Sequence, residues 1–190
     1  MPLGNSAGGD HLCGACLRKP PYFHRARAAL LYHGPIATAI RAFKYRGELT
    51  GLKSFAAFAH TPPGLEELGT QLWDYILPIP LHLKRLRTRG FNQALLLAQH
   101  FLPQAKNKIV ADLLLRQRWT EPQTGMSGGQ RRRNLKNAFT LARPELIKSR
   151  NILLIDDVFT TGSTVNECAR VLRDAKAARV DVFTLARVHD

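Results

Sequence analysis

The stretch Asn151-Ile-Leu-Leu-Ile-Asp-Asp-Val-Phe-Thr-Thr-Gly-Ser-Thr164 decides the fold of this chain. Its apolar run from Ile152 to Ile155 is rich in β-branched residues. Such a run is typical of a central strand covered on both faces, as in a parallel sheet. Ligands of open α/β sheets bind just past the carboxyl ends of the strands. Asp156 and Asp157 come directly after the run, so we expect them at a ligand site.

A loop rich in hydroxyl groups follows the two acids, and it consists of Thr160, Thr161, Gly162, Ser163 and Thr164. Gly162 has no Cβ, so the backbone can turn tightly there and approach a ligand. Thr164 and Glu167 have the spacing of a capping box, which predicts that a helix begins here. The free N–H groups and the positive dipole end of a helix N-terminus favour a phosphate.

The acid pair and the loop together predict a site for a sugar phosphate. Two neighbouring carboxylates can accept hydrogen bonds from two vicinal hydroxyls, and a phosphate on the adjacent loop completes a ribose 5-phosphate. The alternative is an ordinary strand–turn–helix with a solvated pair of acids. The order of strand, acid pair and loop favours the ligand site.

Composition and charge narrow the class of protein. The chain has 190 residues, enough for one substantial core with an appendage, and 45% of them are hydrophobic, which indicates a globular protein. The net charge is +14, from 28 Lys and Arg against 14 Asp and Glu. This balance favours phosphates or nucleic acid as partners, while solubility alone is the alternative explanation.

The apolar segments do not predict a membrane protein. No apolar run approaches the ~20 residues of a membrane span. Met1 to Asp10 lacks the apolar centre of a signal peptide. We therefore expect a cytoplasmic protein without membrane insertion.

The cysteines Cys13 and Cys16 form a CxxC motif near the start of the chain. A closed structural zinc site needs four ligands, so one such motif is a weak signal for Zn²⁺. His11 and His24 could complete the set. A reduced, metal-free pair is equally compatible with the sequence.

Hydrophobic periodicity predicts the remaining elements. Strands are expected at 28–32, 75–80, 138–141 and 180–188, and helices around 36–43, 52–59, 93–100 and 164–177. Cys168 lies on the apolar stripe of the last helix and is expected in the core. Residues 116–137 are rich in Gly, Gln, Ser and Arg, and this composition predicts a mobile, cationic loop.

A basic segment follows the strand at 75–80. Four cations fall within Lys84 to Arg89, and Asn92 is expected to cap the next helix. The pattern predicts a basic loop suited to an anion. Phe91 and Trp119 lie among cations and could stack on nucleic-acid bases, although a core position suits Phe91 equally well.

The segment from Asp156 to Thr164 resembles the signature of the type I phosphoribosyltransferases. The resemblance implies that Asp156 and Asp157 hold the ribose hydroxyls of phosphoribosyl pyrophosphate (PRPP). It also implies that the loop of Thr160, Thr161, Gly162, Ser163 and Thr164 holds the 5-phosphate.

Several other blocks look like the ComF family, whose members are also described as competence or amidophosphoribosyltransferase-like proteins. These blocks are Leu12 to Cys16, Pro35 to Gly47 with its Phe43 to Gly47 end, Pro78 to Leu81, Arg89 to Gln93, Gln123, and Arg131 to Asn134. With the acid pair and its loop, they extend the resemblance over most of residues 11–188. The family implies an α/β type I phosphoribosyltransferase fold, a mostly parallel twisted sheet flanked by helices, with a small N-terminal appendage and a hood.

The resemblance also implies how the chain is divided. Residues 1–27 would form an N-terminal arm, the remnant of a zinc-ribbon-like module, and residues 28–190 a phosphoribosyltransferase-like domain. Parts of 28–70 would supply the hood and 71–190 the core. Family members usually carry two CxxC pairs, and Cys13 and Cys16 match the second pair. Zn²⁺ on these cysteines is an expectation that rests on half of the usual ligands.

By resemblance, the protein transfers a phosphoribosyl group from PRPP to an unknown acceptor and releases pyrophosphate, with Mg²⁺ arriving on the substrate. The residues expected near pyrophosphate are Pro80, Leu81, His82, Arg85 and Arg89, and the loop cations expected to close over the site are Arg131, Arg132 and Arg133. The family is linked to DNA uptake, which adds single-stranded DNA and a helicase-like competence protein as partners. The alternative is a non-catalytic protein of natural transformation that binds PRPP, a nucleotide or single-stranded DNA.

Overall fold

The computed structural model of the chain describes residues 20–46, 73–119 and 133–188. Its strands are β1 (Arg25–Leu31), β2 (Tyr75–Pro78), β3 (Leu114–Arg116), β4 (Phe139–Leu141), β5 (Asn151–Phe159) and β6 (Arg179–Arg187). Its α-helices are α1 (Gly34–Arg46), α2 (Leu83–Arg89), α3 (Gln93–Phe101) and α4 (Ser163–Asp174). Short 3₁₀ helices cover Pro103–Lys108 and Pro144–Ile147.

The main sheet has the strand order β1-β6-β5-β2, and all of its strand pairs are parallel. β3 and β4 pair antiparallel in a separate two-stranded sheet. The predicted α/β fold with a mostly parallel sheet is confirmed. Pro78 lies at the last position of β2, where it pairs with Ile155, so its missing N–H interrupts no strand pairing beyond it.

The side chains of β5 alternate between two buried clusters, one on each face of the sheet. Leu153 and Ile155 pack in one cluster with residues of α1 and α3. Ile152 and Leu154 pack in the other with residues of α4 and the β3–β4 pair, including the fully buried Cys168. This two-sided burial explains the continuous apolar run, and the core position predicted for Cys168 is confirmed.

The predicted strand end before the acid pair is wrong, because β5 continues through the acids to Phe159. β6 pairs with this extension, placing Asp156 opposite Thr184, while β2 ends at Pro78 opposite Ile155. Beyond Ile155 the strand therefore has a neighbour on the β6 side and an open edge on the other. Both acids belong to this part of the strand, which pairs only with β6.

The segment predicted as a basic loop contains the helix α2. The Nδ1 atom of His82 accepts a hydrogen bond from the N–H of Lys84 at 3.2 Å, and Gly90 ends the helix at φ +78°. No residue of α2 is buried, so its sequence carries no apolar period to reveal a helix. The sequence features that mark this helix are the N-cap residue His82 and Gly90, the glycine after Arg89.

The predicted capping box at α4 is also wrong. Gly162, at φ +69°, is the N-cap, and no side chain caps the helix. The carboxylate of Glu167 instead accepts hydrogen bonds from the N–H of Asn137 at 2.9 Å and from the guanidinium of Arg170 at 2.8 Å. Glu167 therefore links α4 to the segment before β4 and leaves the first turn of the helix uncapped.

The described residues cover part of the predicted division of the chain. β1 begins at Arg25, within the predicted arm, and α1 belongs to the predicted hood. Cys13, Cys16 and the helix expected at 52–59 lie outside the described residues, so the division stays a prediction. Within 20–46, 73–119 and 133–188, no helix is both long and apolar enough to span a membrane.

Candidate active site

A pocket of about 600 Å³ opens at the carboxyl edge of the parallel sheet. Residues at the ends of β1, β2 and β5 reach it because parallel strands finish at the same edge. Its lining residues are Tyr32, Lys44, Ile79, Pro80, Leu81, Arg85, Thr88, Arg89, Asn92, Gln93, Ala94, Arg116, Trp119, Asp156, Asp157, Val158, Thr160 and Thr164. The pocket thus combines two acids with a larger number of cations.

The structure brings most of the predicted site residues together. Those lining the pocket are Pro80, Leu81, Arg85, Arg89, Asp156, Asp157, Thr160 and Thr164. Thr161 and Ser163 share a hydrogen bond of 2.8 Å between their hydroxyls, on either side of Gly162. His82 packs its ring edge-on against Trp119, with the ring centroids 5.3 Å apart.

The other predicted site residues include one that does not line the pocket and four that lie outside the described residues. Arg133 is exposed and is not among the lining residues. Arg131, Arg132, Cys13 and Cys16 fall outside the described residues. In the part of the chain that the structure describes, no group of three or more His, Cys, Asp or Glu could hold a metal ion.

Phe159 supports the turn at Gly162. A Cβ on Gly162 would lie 2.6 Å from the ring of Phe159, far inside contact distance. Phe23, in the segment before β1, packs edge-on against the same ring at a centroid distance of 6.2 Å. The glycine therefore lets the loop approach the ring closely, and the loop runs directly into the uncapped first turn of α4. Such a turn offers its N–H groups to an anion.

The two acids have different partners. The Oδ1 atom of Asp157, a residue only 8% exposed, lies 2.7 Å from the Nζ atom of Lys44. Asp156 accepts a hydrogen bond from the N–H of Asp157 at 2.8 Å through its own Oδ1. One carboxylate is thus fixed by a lysine of α1, and the other is fixed by the backbone of its neighbour.

These surroundings shift the pKa values of Asp156 and Lys44. Burial and then repulsion from Asp157 raise the pKa of Asp156 to about 7, against the opposing attraction of Lys44. Burial alone would lower the pKa of Lys44, but attraction and a hydrogen bond from Asp157, with attraction from Asp156, raise it overall. Lys44 is therefore charged at neutral pH, while Asp156 changes its charge close to neutrality.

Two sequence motifs at the pocket, the segment with Phe43 and Lys44 and the segment with Phe91 and Gln93, contact each other. Gln93 donates a side-chain hydrogen bond to the carbonyl of Lys44 at 3.4 Å, and the rings of Phe43 and Phe91 lie 5.7 Å apart. Phe91 is thus a packing residue that ties the start of α3 to α1. The motif with Phe43 and Lys44 is visible in the sequence, but the role of Lys44 is not, because nothing in the sequence shows that α1 brings it to Asp157.

Asn92 joins this assembly to β2. Its side-chain oxygen accepts hydrogen bonds from the N–H groups of Ala94 and Leu95, and its amide donates to the carbonyl of Ile79 at 3.1 Å. The predicted N-cap is confirmed. The bond from the Asn92 amide to the Ile79 carbonyl holds the segment after β2 against the start of α3. Both residues line the pocket.

Further cations of the pocket come from α2 and β3. Arg116 was missed by the sequence analysis and lines the pocket from β3. Burial and then repulsion from Arg85 lower the pKa of Arg116 to about 10, so it still carries its charge at neutral pH. Trp119 is 40% exposed, and Lys84 Nζ and Arg85 Cζ lie 5.6 and 5.3 Å from its ring centroid.

His82 is neutral in this cationic environment. Burial and then the charges of Arg116, Lys84 and Arg85 lower its pKa below the usual value of 6.5. Because its Nδ1 atom accepts from the N–H of Lys84, the proton of the neutral ring is on Nε2. The ring can therefore donate a hydrogen bond to an anion.

Residues 88–190 match the family described as the phosphoribosyl transferase domain. The parallel sheet and the acid pair followed by an uncapped helix thus belong to a protein with a phosphoribosyl transferase domain. Similar proteins include DNA utilization protein YhgH of Escherichia coli (strain K12), 37% identical over 187 residues, 97% of this chain and 82% of the relative. Competence protein F of Haemophilus influenzae is 33% identical over 178 residues, 92% of this chain and 78% of the relative.

Competence protein ComFC of Bacillus subtilis is 30% identical over 163 residues, which are 85% of this chain and 63% of that protein. Together with the domain match, these relatives show that the chain belongs to the ComF family. The family membership inferred from the motifs is confirmed.

Replacing Gly162 with Ala is expected to destabilise the protein more than replacing Gly90 with Ala. Both glycines have positive φ, so both variants lose about 1–2 kcal/mol for the left-handed backbone. A Cβ at Gly90 meets no atom within 4 Å, whereas at Gly162 it meets Phe159. Overpacking of this kind costs a further ~1–3 kcal/mol. Urea unfolding of both variants measures the difference, and equal losses would contradict the close contact.

Replacing Asp156 with Asn is expected to remove a pH-dependent loss of stability. The carboxyl binds its proton more tightly in the folded state (pKa about 7) than in the unfolded state (3.8). Its contribution is therefore most favourable below the lower value and is lost as pH rises towards the higher one. The gain in melting temperature of Asp156→Asn over wild type should be larger at pH 8 than at pH 5.

Thermal unfolding at the two pH values tests this expectation. Asp112→Asn is the control, because Asp112 is exposed and pairs with Arg143 outside the pocket. A gain for Asp156→Asn that is the same at both pH values would contradict the raised pKa.

Proposed function

We propose that the pocket binds PRPP and supports transfer of its phosphoribosyl group to an acceptor, with release of pyrophosphate. The observation that carries the proposal is the position of the acid pair, Asp156 and Asp157, beside the hydroxyl-rich loop and in one pocket with Arg85, Arg89 and Arg116. PRPP has the same order of groups, since its ribose diol lies between a 5-phosphate and a pyrophosphate.

The proposed chemistry needs stabilisation of opposite charges. Positive charge develops at the anomeric carbon in the transition state, as in glycoside hydrolysis. Asp156 and Asp157 would orient the ribose and stabilise that charge. Arg85 and Arg89 would stabilise the departing pyrophosphate, since donors already held in place need no rearrangement during the reaction. The Nε2 proton of His82 is a further donor for the same anion.

The donor set of the pocket suits Mg²⁺ that arrives on the substrate. Asp157 already has Lys44 as its counter-ion, and the described residues offer no cluster of three metal-ligating side chains. Mg²⁺ keeps several waters and commonly binds one or two carboxylates together with substrate phosphates. Asp156 and the oxygens of PRPP would hold it, and it would neutralise part of the pyrophosphate charge.

A second candidate function is binding of PRPP, a nucleotide or single-stranded DNA without catalysis. The names of the relatives refer to DNA utilization and competence. The exposed ring of Trp119, with Lys84 and Arg85 beside it, favours this candidate, because aromatic rings among cations bind single strands by stacking. A helicase-like partner and Zn²⁺ on Cys13 and Cys16 stay predictions.

The Asp157→Asn variant tests the first candidate. It replaces a carboxylate of the proposed ribose site, so it should lower the affinity for PRPP with Mg²⁺ at least about tenfold, the equivalent of one charge-assisted hydrogen bond. It should also abolish pyrophosphate release. Calorimetric titration and a pyrophosphate assay with nucleobases, amines and oligonucleotides measure the two effects, with Asp112→Asn as the control.

Two results would contradict this proposal at different points. If the wild-type protein does not bind PRPP, the site assignment is wrong. If it binds PRPP but no acceptor gives pyrophosphate, the transfer reaction is wrong and the second candidate is favoured.

For the second candidate, affinity for single-stranded DNA should fall steeply with salt, because cations release ions condensed on the phosphates. Trp119→Ala should weaken binding by about 1–3 kcal/mol without changing the salt slope. Replacing Arg131, Arg132 and Arg133 together should flatten that slope. Fluorescence anisotropy measures both effects, and Leu115→Ala is a matched control because Leu115 is also 40% exposed on β3. Equal affinities of the Trp119 and Leu115 variants would exclude stacking on Trp119.

A further inference from the structure

We propose that Lys44 is a built-in counter-cation, which prevents a divalent ion from binding the acid pair until PRPP brings one. The inference rests on the proposed function and adds an order of binding to it. Free Mg²⁺ would not bind first, and the metal would enter as its PRPP complex. The carrying observation is the 2.7 Å contact between the ammonium of Lys44 and the carboxylate of Asp157.

The contact is more confined than a surface ion pair. The side chains of Lys44 and Asp157 are only 22% and 12% exposed. Exposed pairs contribute little because water and mobile side chains weaken them, whereas removing one partner of a buried pair leaves an uncompensated charge. Whatever replaces Lys44 must therefore supply positive charge to Asp157.

The backbone around Lys44 is held in place by two contacts with the start of α3. Gln93 donates to the Lys44 carbonyl, and Phe43 packs against Phe91. Both partners, Gln93 and Phe91, belong to the segment at the start of α3. They hold the end of α1 in place, and from there the ammonium of Lys44 contacts Asp157. A lysine held this way is ordered before any ligand arrives.

Without Lys44, the acid pair would lose the ammonium that lies 2.7 Å from Asp157. Hard divalent ions prefer carboxylate oxygens, so the pair would then attract Mg²⁺ or Mn²⁺ from solution. A metal bound there in advance would occupy the side of the pocket proposed for the ribose hydroxyls. The ammonium balances Asp157 while leaving the ribose side free of metal.

Proton transfer does not explain this lysine equally well. The partner carboxylates raise the pKa of Lys44, so it retains its proton at neutral pH and is unsuited to act as a base. Its charge, rather than a proton exchange, is what the pocket uses.

The test is a Mn²⁺ titration of the full-length protein without PRPP, with free Mn²⁺ measured by electron paramagnetic resonance. Lys44→Met keeps a long apolar side chain and removes the charge. It should bind Mn²⁺ at least about tenfold more tightly than wild type, a factor equal to the loss of one modest charge interaction. Its melting temperature should rise with Mg²⁺ more than that of wild type.

Further variants locate the new site. Adding Asp157→Asn to Lys44→Met should abolish the gained Mn²⁺ binding, which separates the acid pair from any ion bound elsewhere on the chain. Lys44→Arg should behave as wild type because it keeps the charge, and Lys84→Met should do so because Lys84 is exposed outside the pocket lining. If Lys44→Met does not fold, Lys44→Gln removes the charge with a polar end and is expected to gain Mn²⁺ in the same way.

The proposal is overturned if the uncharged variants gain no Mn²⁺ binding. It is equally overturned if wild type, without PRPP, binds Mn²⁺ that Asp157→Asn removes. Both measurements omit PRPP, so they stand apart from the proposed function. A wild-type protein that fails to bind PRPP would remove that function without altering the Mn²⁺ result.

Discussion

The unequal pairing of β5 is the constraint on which the rest of the structure depends. Up to Ile155 the strand is paired on both sides, and beyond it only β6 remains beside the chain. The core needs the first half of the strand to be apolar on both faces. The second half pairs only with β6, and it contains Asp156 and Asp157, which line the pocket. The strand thus changes from buried core at Ile155 to pocket lining at Asp156, the next residue.

The ion pair between Lys44 and Asp157 makes the acidic edge compatible with the fold. Two adjacent carboxylates in a confined pocket repel each other, and the lysine balances one of them. Two separate contacts, from Gln93 to the carbonyl of Lys44 and between the rings of Phe91 and Phe43, hold the end of α1 against the start of α3. Motifs that are far apart in the sequence therefore form one assembly around the acids, and Arg85, Arg89 and Arg116 line the same pocket.

The sequence could predict the parts of the site that depend on local order. The apolar run before Asp156, the glycine turn at Gly162 and the cap at Asn92 each have a direct physical signature within a few residues. The helix α2 had none of the usual apolar period, because it buries no residue. Lys44 and Arg116 depended on how distant elements pack, and a single sequence does not contain that information. The cap of α4 was misjudged because Glu167 bonds to the N–H of Asn137 and to Arg170 of its own helix, and not to the start of the helix.

The most direct measurement of the central claim is a crystal structure with PRPP and Mg²⁺. The account predicts the 5-phosphate on the backbone N–H groups between Thr160 and Thr164, and the ribose hydroxyls at Asp156 and Asp157. The pyrophosphate should face Arg85 and Arg89. A pyrophosphate bound at the loop before α4, or PRPP bound away from the acid pair, would contradict it.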